Sequence, residues 1–358
     1  MPKILTVVGA RPQFVKAAAL SRALLKFGIE EVLVHTGQHF DENMAEIFFR
    51  QMDIPHPKYN LGINSLGHGA MTGRMLEEIE KVLLIEKPSV VVVFGDTNST
   101  LAGALAASKL HVPVAHIEAG LRSFNMKMPE EINRILTDRI SNYLFCPSEV
   151  AIKNLQAEGF ENFDITIINS GDVMYDVALY YSRFSGERST IINDLGLNEK
   201  PFLLTTLHRQ ENTDDLVRLN SIILALNTLS SDYKIVLPIH PRTRKILENE
   251  AIKLNFEPIA PVGYFDMIEL LKNCSLVITD SGGVQKEAFF FGKHCLVARD
   301  ETEWTELVDL NYNFMVGAET DKIINTVAKL SKSSVKFSAK PYGDGNAAEK
   351  IAAFLKNI

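Results

Sequence analysis

Three cysteines in 358 residues, Cys146, Cys274 and Cys295, are too few and too far apart for a disulfide framework. That excludes a small stapled secreted fold and suits a reducing compartment. Two of the three fall in apolar, strand-like runs and one at a helix end, so buried thiols are expected. No apolar run approaches the roughly 20 residues needed to cross a bilayer. The opening MPKILTVVGA stops its short apolar run at Gly9 and reads as a first strand, not as a leader. An excess of positive charge is also missing. There are 37 Lys and Arg against 44 Asp and Glu, a net charge of −7, which argues against nonspecific nucleic-acid binding. The expectation is a cytoplasmic protein with neither membrane nor nucleic acid as partner.

Several short signatures are absent too. There is no G-x-G-x-x-G fingerprint and no G-K-[ST] P-loop. There is no H-E-x-x-H, and no His/Cys set at zinc spacing, so no metal is expected. No G-x-S-x-G elbow is present, which disfavours a triad hydrolase. No internal repeat or low-complexity tract stands out.

What is present is a long alternation of short apolar runs and helical patterns, in a chain that is 46% apolar. That reads as α/β with parallel sheets, and the length favours two domains. Ile4–Val8, Glu31–Thr36, Val90–Phe94, Pro113–Ile117, Tyr143–Cys146 and Thr166–Ile168 are predicted strands of a first doubly wound domain. A long surface loop is predicted from Pro55 to Gly69, and an amphipathic helix over Met71–Glu86 with Met75, Ile79 and Val82 inward. Strands at Phe202–Leu207, Lys234–Ile239, Leu276–Asp280, Cys295–Ala298 and Asn313–Val316 build a second domain, and the tail Gly345–Leu355 is helical. The domain expectation is 1–170 with a returning helix at about 344–358, and 171–343.

Polar residues concentrate where these strands end, the edge at which open parallel sheets take ligands. Gly9-Ala10-Arg11-Pro12-Gln13 with Lys16 has the strand–turn–helix form of a phosphate site, or is a plain βα turn. Pro12 fits a first helical turn. Asp96, Glu118 and Glu131 follow strands or open a helix, and could form an acid/base group around a substrate carbon. Alternatively, Asp96 caps the next helix and Glu131 is one arm of a surface salt bridge to Arg134. His208, with Arg209 and Glu211, ends another strand. Asp280-Ser281-Gly282-Gly283 with Glu287 suggests a nucleotide-diphosphate site, because glycine allows close approach to helix N–H groups. A simple βα turn is the competing reading. Gln38 and His39 also end a strand, unless His39 merely caps a helix.

Taken together these motifs resemble those of the non-hydrolysing UDP-N-acetylglucosamine 2-epimerases. Gly9-Ala10-Arg11-Pro12, Gly37-Gln38-His39, Gly95-Asp96-Thr97, Glu118-Ala119-Gly120-Leu121-Arg122, Pro129-Glu130-Glu131-Ile132-Asn133-Arg134, His208-Arg209-Gln210-Glu211-Asn212 and Asp280–Glu287 occur in the family's order across nearly the whole chain. The resemblance implies the glycosyltransferase-B arrangement, two Rossmann-like domains with a central cleft and a C-terminal helix returning to the first. It implies interconversion of UDP-GlcNAc and UDP-ManNAc by anti elimination of UDP to 2-acetamidoglucal and re-addition, with no cofactor. Asp96, Glu118 and Glu131 would be the acid/base carboxylates, and His208 would lie near the diphosphate. Arg11, Lys16, Ser281, Gly282, Gly283 and Glu287 match UDP-binding positions, with Glu287 on the ribose hydroxyls. Gln38, His39, Arg74 and His240 match a regulatory UDP-sugar site. A homodimer is implied.

The chain departs from the family pattern at three places. Gln13 replaces a glutamate, Trp304 an arginine, and Phe40 an arginine. These variants are similar to a branch acting on UDP-2,3-diacetamido-2,3-dideoxy-glucuronic acid in surface-polysaccharide synthesis. The charge lost at Gln13 would suit an anionic sugar. The rival readings are a hydrolysing relative, a retaining glycosyltransferase and a non-enzymatic UDP-sugar sensor.

Overall fold

The computed structural model describes residues 2–38, 56–332 and 337–358, without the Arg11 side chain. His39 and Phe40 lie outside the described residues. The chain divides into two compact units, 1–177 with 340–358, and 178–339. The division falls inside the helix Val173–Ser182.

The first unit holds β1 (Lys3–Val8), β2 (Glu30–His35), β3 (Tyr59–Asn60), β4 (Val90–Phe94), β5 (Val114–Ile117), β6 (Tyr143–Cys146) and β7 (Thr166–Asn169). They form one parallel sheet in the order β3-β2-β1-β4-β5-β6-β7. Every residue of β4 is buried. A central parallel strand is covered on both faces, so its sequence is apolar throughout instead of alternating. The helix His68–Glu86 buries Met71, Met75, Ile79, Val82 and Leu83, the face that the spacing predicts. β3 corrects the expected loop. Its two residues pair with β2 because Glu86 accepts from Lys58 (2.6 Å) and from the Tyr59 hydroxyl (2.6 Å). Those long-range contacts leave no local pattern in the sequence.

β1 has neighbours on both sides, so the chain reverses direction across the sheet between β1 and β4. Ligands of open α/β sheets sit at such switch points. Gln13 staples the two strand ends there. Its Oε1 accepts from Gly9 N (2.8 Å) and Ala10 N (3.0 Å), and its Nε2 donates to Phe94 O (2.8 Å) and Thr100 Oγ1 (2.9 Å). The residue is 2% exposed. Both ends of its amide are thus bonded within the scaffold.

The second unit carries β8 (Phe202–Thr206), β9 (Lys234–Val236), β10 (Leu276–Thr279), β11 (Cys295–Val297) and β12 (Asn313–Met315) in the parallel order β12-β11-β10-β8-β9. β9 is shorter than expected. Beyond it Pro238 forms a bridge to Ile259, and Ile239 N donates to Ile259 O (3.0 Å). Proline has no N–H for a ladder, so regular pairing stops there. Here the switch point lies between β8 and β10, and Asp280 is its staple. It is fully buried and accepts from His208 N (3.0 Å), Arg209 N (2.9 Å) and Asn212 Nδ2 (3.3 Å).

The C-terminal helix Ala347–Leu355 belongs to the first unit. Phe354 meets Tyr143 and Phe145 edge-on, and Asp176 accepts from the N–H groups of Ala347 (3.1 Å) and Ala348 (2.7 Å). The three cysteines are buried thiols. Burial pushes all three above their ordinary value, Cys274 to about 12. Among the described residues no helix is long and apolar enough to cross a membrane, and no His/Cys/Asp/Glu cluster could hold a metal ion.

Candidate active site

In the first unit, β4 and β5 are neighbours, and the turns leaving them carry Asp96 and Glu118. Gly95 takes φ +63° and Glu118 φ +70°. A non-glycine residue in the left-handed region is uncommon and has to be held there by its surroundings. The two turns touch. A Cβ built on Gly95 would stand 3.2 Å from Glu118 Oε2, so only glycine fits without displacing that carboxylate. Lys16 forms a close ion pair with Glu118, and Arg134 forms one with Asp96. The Asp96 side chain is 31% exposed, whereas those of Glu118 and Glu131 are 7% and 1%. Of the three carboxylates, Asp96 is the one open to solvent.

Asp96 does not cap the following helix. Thr97 does, its hydroxyl accepting from Thr100 N at 3.3 Å. Glu131 does pair with Arg134, at 2.8 Å, but the pair is buried and not a surface bridge. Glu131 also accepts from Ser123 N (3.0 Å), Ser123 Oγ (2.9 Å) and Phe124 N (2.9 Å). Those bonds fix a turn in which Phe124 takes φ +58°. Glu131 thereby holds Arg134, which reaches Asp96. Asn133 steadies the same turn from the backbone side, donating to Asp96 O at 2.9 Å.

Behind the two turns lies a polar cluster of which the motifs include only Arg122. His116 and Asp138 are fully buried and bonded at 2.6 Å, and Arg122 reaches Asp138 at 2.7 Å. Burial opposes charge on Asp138, but His116 and Arg122 hold its carboxyl below the usual carboxylate range. The signal in the sequence is a histidine inside an apolar strand, together with an acid seven residues beyond Glu131 on one helical face.

In the second unit, His208 leaves β8 with Nδ1 3.3 Å from Asp280 Oδ1. Burial, with Arg209 and His240 adding to it, outweighs the pull of Asp280 and lowers the imidazole below its ordinary value. Ser281 opens the helix Gly282–Phe290 without using its side chain as a cap. The first N–H groups of a helix have no partner within it and favour an anion. Trp304 backs this turn. Its Nε1 donates to Gly282 O (2.9 Å), and Lys286 Nζ lies 4.1 Å from its ring centre. The tryptophan is buried, and Arg299 is bonded to Glu303 at 3.0 Å.

The residues matched to a regulatory site have separate local settings. Gln38 Oε1 accepts from Ser99 N (3.1 Å) and Ser99 Oγ (2.8 Å). Arg74 is exposed on the helix His68–Glu86. His240 caps the helix Pro241–Asn249, accepting from Arg242 N at 3.2 Å.

Comparison with known proteins gives this geometry a context. The family model described as UDP-N-acetylglucosamine 2-epimerase matches residues 22–356. The UDP-2,3-diacetamido-2,3-dideoxy-D-glucuronate 2-epimerase of Pseudomonas aeruginosa is 56% identical over 359 residues, covering 99% of this chain and 100% of that protein. The UDP-N-acetylglucosamine 2-epimerase of Methanocaldococcus jannaschii is 44% identical, covering 99% of this chain and 98% of that one. A crystal structure of the M. jannaschii UDP-GlcNAc 2-epimerase in complex with UDP-GlcNAc and UDP matches with a TM-score of 0.88 at 43% identity, over 99% of this chain and 100% of that chain. The fold is thus of the glycosyltransferase-B-like, two-domain α/β class. The chain belongs to the UDP-N-acetylglucosamine 2-epimerase family.

Proposed function

We propose that this chain is a non-hydrolysing UDP-sugar 2-epimerase, an isomerase that inverts carbon 2 of a UDP-linked 2-acetamido sugar. The observation that carries this reading is a pair of carboxylates, Asp96 and Glu118, on adjoining strand-end turns, each held by its own cation. Removing an unactivated proton needs a fixed base, and returning one to the opposite face needs a second acid/base group. In the elimination a carboxylate takes the proton from carbon 2. The bond from carbon 1 to oxygen breaks, UDP leaves with the electron pair, and a 2-acetamidoglucal remains. A proton then reaches carbon 2 from the other face, and UDP re-adds at carbon 1. Electrons move only within the substrate, so the step calls for no redox cofactor.

In this reading Asp96 and Glu118 carry the proton transfers. Glu131, already accepting from four groups, acts by holding Arg134 against Asp96 and is a positioning residue. Backbone donors at Ser281, Gly282 and Gly283 hold the diphosphate in the second unit, and Arg11 and Lys16 are the UDP-binding candidates of the first. Glu287 takes the ribose hydroxyls and His208 lies beside the diphosphate. Binding of a second, regulatory UDP-sugar would draw on Gln38, His39, Arg74 and His240. A homodimer, twice the 39.9 kDa chain, and a cytoplasmic location complete the proposal.

For the sugar, the P. aeruginosa relative at 56% identity supports UDP-2,3-diacetamido-2,3-dideoxy-glucuronate, and the relatives near 44% support UDP-GlcNAc. An NMR time course with each sugar decides between them. The expected result is conversion of one UDP-sugar to its C2 epimer with the glycosidic phosphate retained at equilibrium. Free sugar as the main product would make the protein hydrolytic. Product formed only with an added acceptor would make it a transferase. Binding of every sugar without turnover would make it a sensor.

A further inference from the structure

We propose that His116 and Asp138 are a positioning pair that sets the spacing between Asp96 and Glu118. The proposal rests on the epimerase reading above. His116 lies in β5, two residues before Glu118, and neither it nor Asp138 has any solvent exposure. The imidazole is bonded at both nitrogens. Nε2 stands 2.7 Å from Gly95 O, and Nδ1 stands 2.6 Å from Asp138 Oδ1. Both partners, a carbonyl and a carboxylate, can accept from the ring. The ring therefore reaches from the strand that carries Glu118 to the turn that carries Asp96.

Asp138 completes the bridge from the other side. Its Oδ2 accepts from Gly120 N at 3.1 Å and from Arg122 Nη1 at 2.7 Å. His116 precedes Glu118 by two residues and Gly120 follows it by two, so one carboxylate holds both ends of the turn that forces Glu118 into a left-handed conformation. Arg122 is anchored in turn on Glu158, at 2.6 Å and 2.8 Å. The reaction as derived gives this cluster no proton to move. A buried, fully bonded network of this kind defines one geometry and makes small departures from it costly.

Two carboxylates that must act on opposite faces of one carbon tolerate little change in their separation. Displacement by about 1 Å can lower a rate about 100-fold. Loosening the bridge would uncouple the two halves of the reaction. Proton removal would continue, with return from the same side, while delivery from the opposite face would fail. Substrate recovered from D2O would then carry deuterium at carbon 2 without inversion.

The test compares wild-type protein with His116→Asn and Asp138→Asn and with the double variant. It measures turnover, UDP affinity by calorimetry, and the ratio of carbon-2 exchange in recovered substrate to epimerised product. Wild-type protein that does not epimerise would defeat the functional reading itself. Given wild-type turnover, each single variant is expected to lose about 100-fold in kcat. UDP affinity should stay within about threefold of wild type, and the exchange ratio should rise. The double variant should lose no more than either single one, because the two side chains act as one unit. Unchanged kcat and an unchanged exchange ratio would overturn the proposal. So would variants that no longer bind UDP, because the pair would then be required for folding and not for spacing.

Discussion

A group that is to accept a proton needs a lone pair to spare, and the three site carboxylates differ in this. Glu131 receives two backbone N–H groups, a hydroxyl and a guanidinium, with a side chain 1% exposed. Asp96 is open to solvent, and Glu118 stands against Lys16. Asp96→Asn and Glu118→Gln should each lower kcat by roughly 10³-fold, the scale of a lost general acid or base, and Glu118→Gln should also lower the urea midpoint, because it leaves the largely buried Lys16 without its carboxylate. Glu131→Gln should behave differently. Its amide would point donors at donors, and stability should fall by about 1–3 kcal/mol along with turnover. A Glu131→Gln protein with wild-type stability and no activity would return Glu131 to the acid/base group. His208 offers a further check at this scale. Its ring holds its proton less tightly than an ordinary imidazole. A diphosphate beside it favours the charged form, so UDP binding should draw in a proton near neutral pH and weaken as pH rises. Calorimetry in two buffers of different ionisation enthalpy reads that uptake. Equal heats in both buffers, or unaltered uptake in His208→Asn, would remove His208 from the diphosphate.

The recurring element is a strand end fastened by one buried polar side chain, Gln13 between β1 and β4 and Asp280 between β8 and β10. An amide serves at the first because it must both donate and accept there. A carboxylate serves at the second because the groups facing it are donors. The C-terminal helix is fastened on the same principle by Asp176, whose carboxyl is pushed up to about 6 by burial, against the opposing effect of two helix N–H groups. Between the ordinary carboxylate value and about 6, the folded protein binds more protons than the unfolded chain, so this residue's contribution declines as pH rises through that window. Glu86 runs the other way. Lys58 and Tyr59 hold it at about 2, so its contribution is present above its ordinary value and is lost as pH falls toward 2. Urea unfolding of wild type and Asp176→Asn at pH 4.5 and pH 7 should show wild type losing on the order of 1 kcal/mol relative to the variant across the interval. A difference that stays constant with pH would contradict this.

Across the whole molecule, the parts legible in the sequence are those governed by local periodicity. Strands β4 and β6 fall on the boundaries read from apolar runs. The carboxylates at the strand ends are equally visible, because a charge that ends a buried apolar strand is costly unless it meets a partner or a ligand. Partners distant in sequence are not legible in this way. β3 depends on Glu86, the bridge at Ile259 on Pro238, and the scaffold role of Gln13 on Phe94 and Thr100. His116 and Asp138 are visible as residues but not as a pair, since only the packing of the helix Pro129–Ile140 beside β5 brings them together. In the proposed reaction the hydrogen at carbon 2 leaves and another arrives from the opposite face. Turnover in D2O tests this most directly, with NMR reading carbon 2 of the epimerised UDP-sugar. One deuterium is expected at carbon 2 of every product molecule after a single turnover. Epimer formed with its original hydrogen retained there would contradict it.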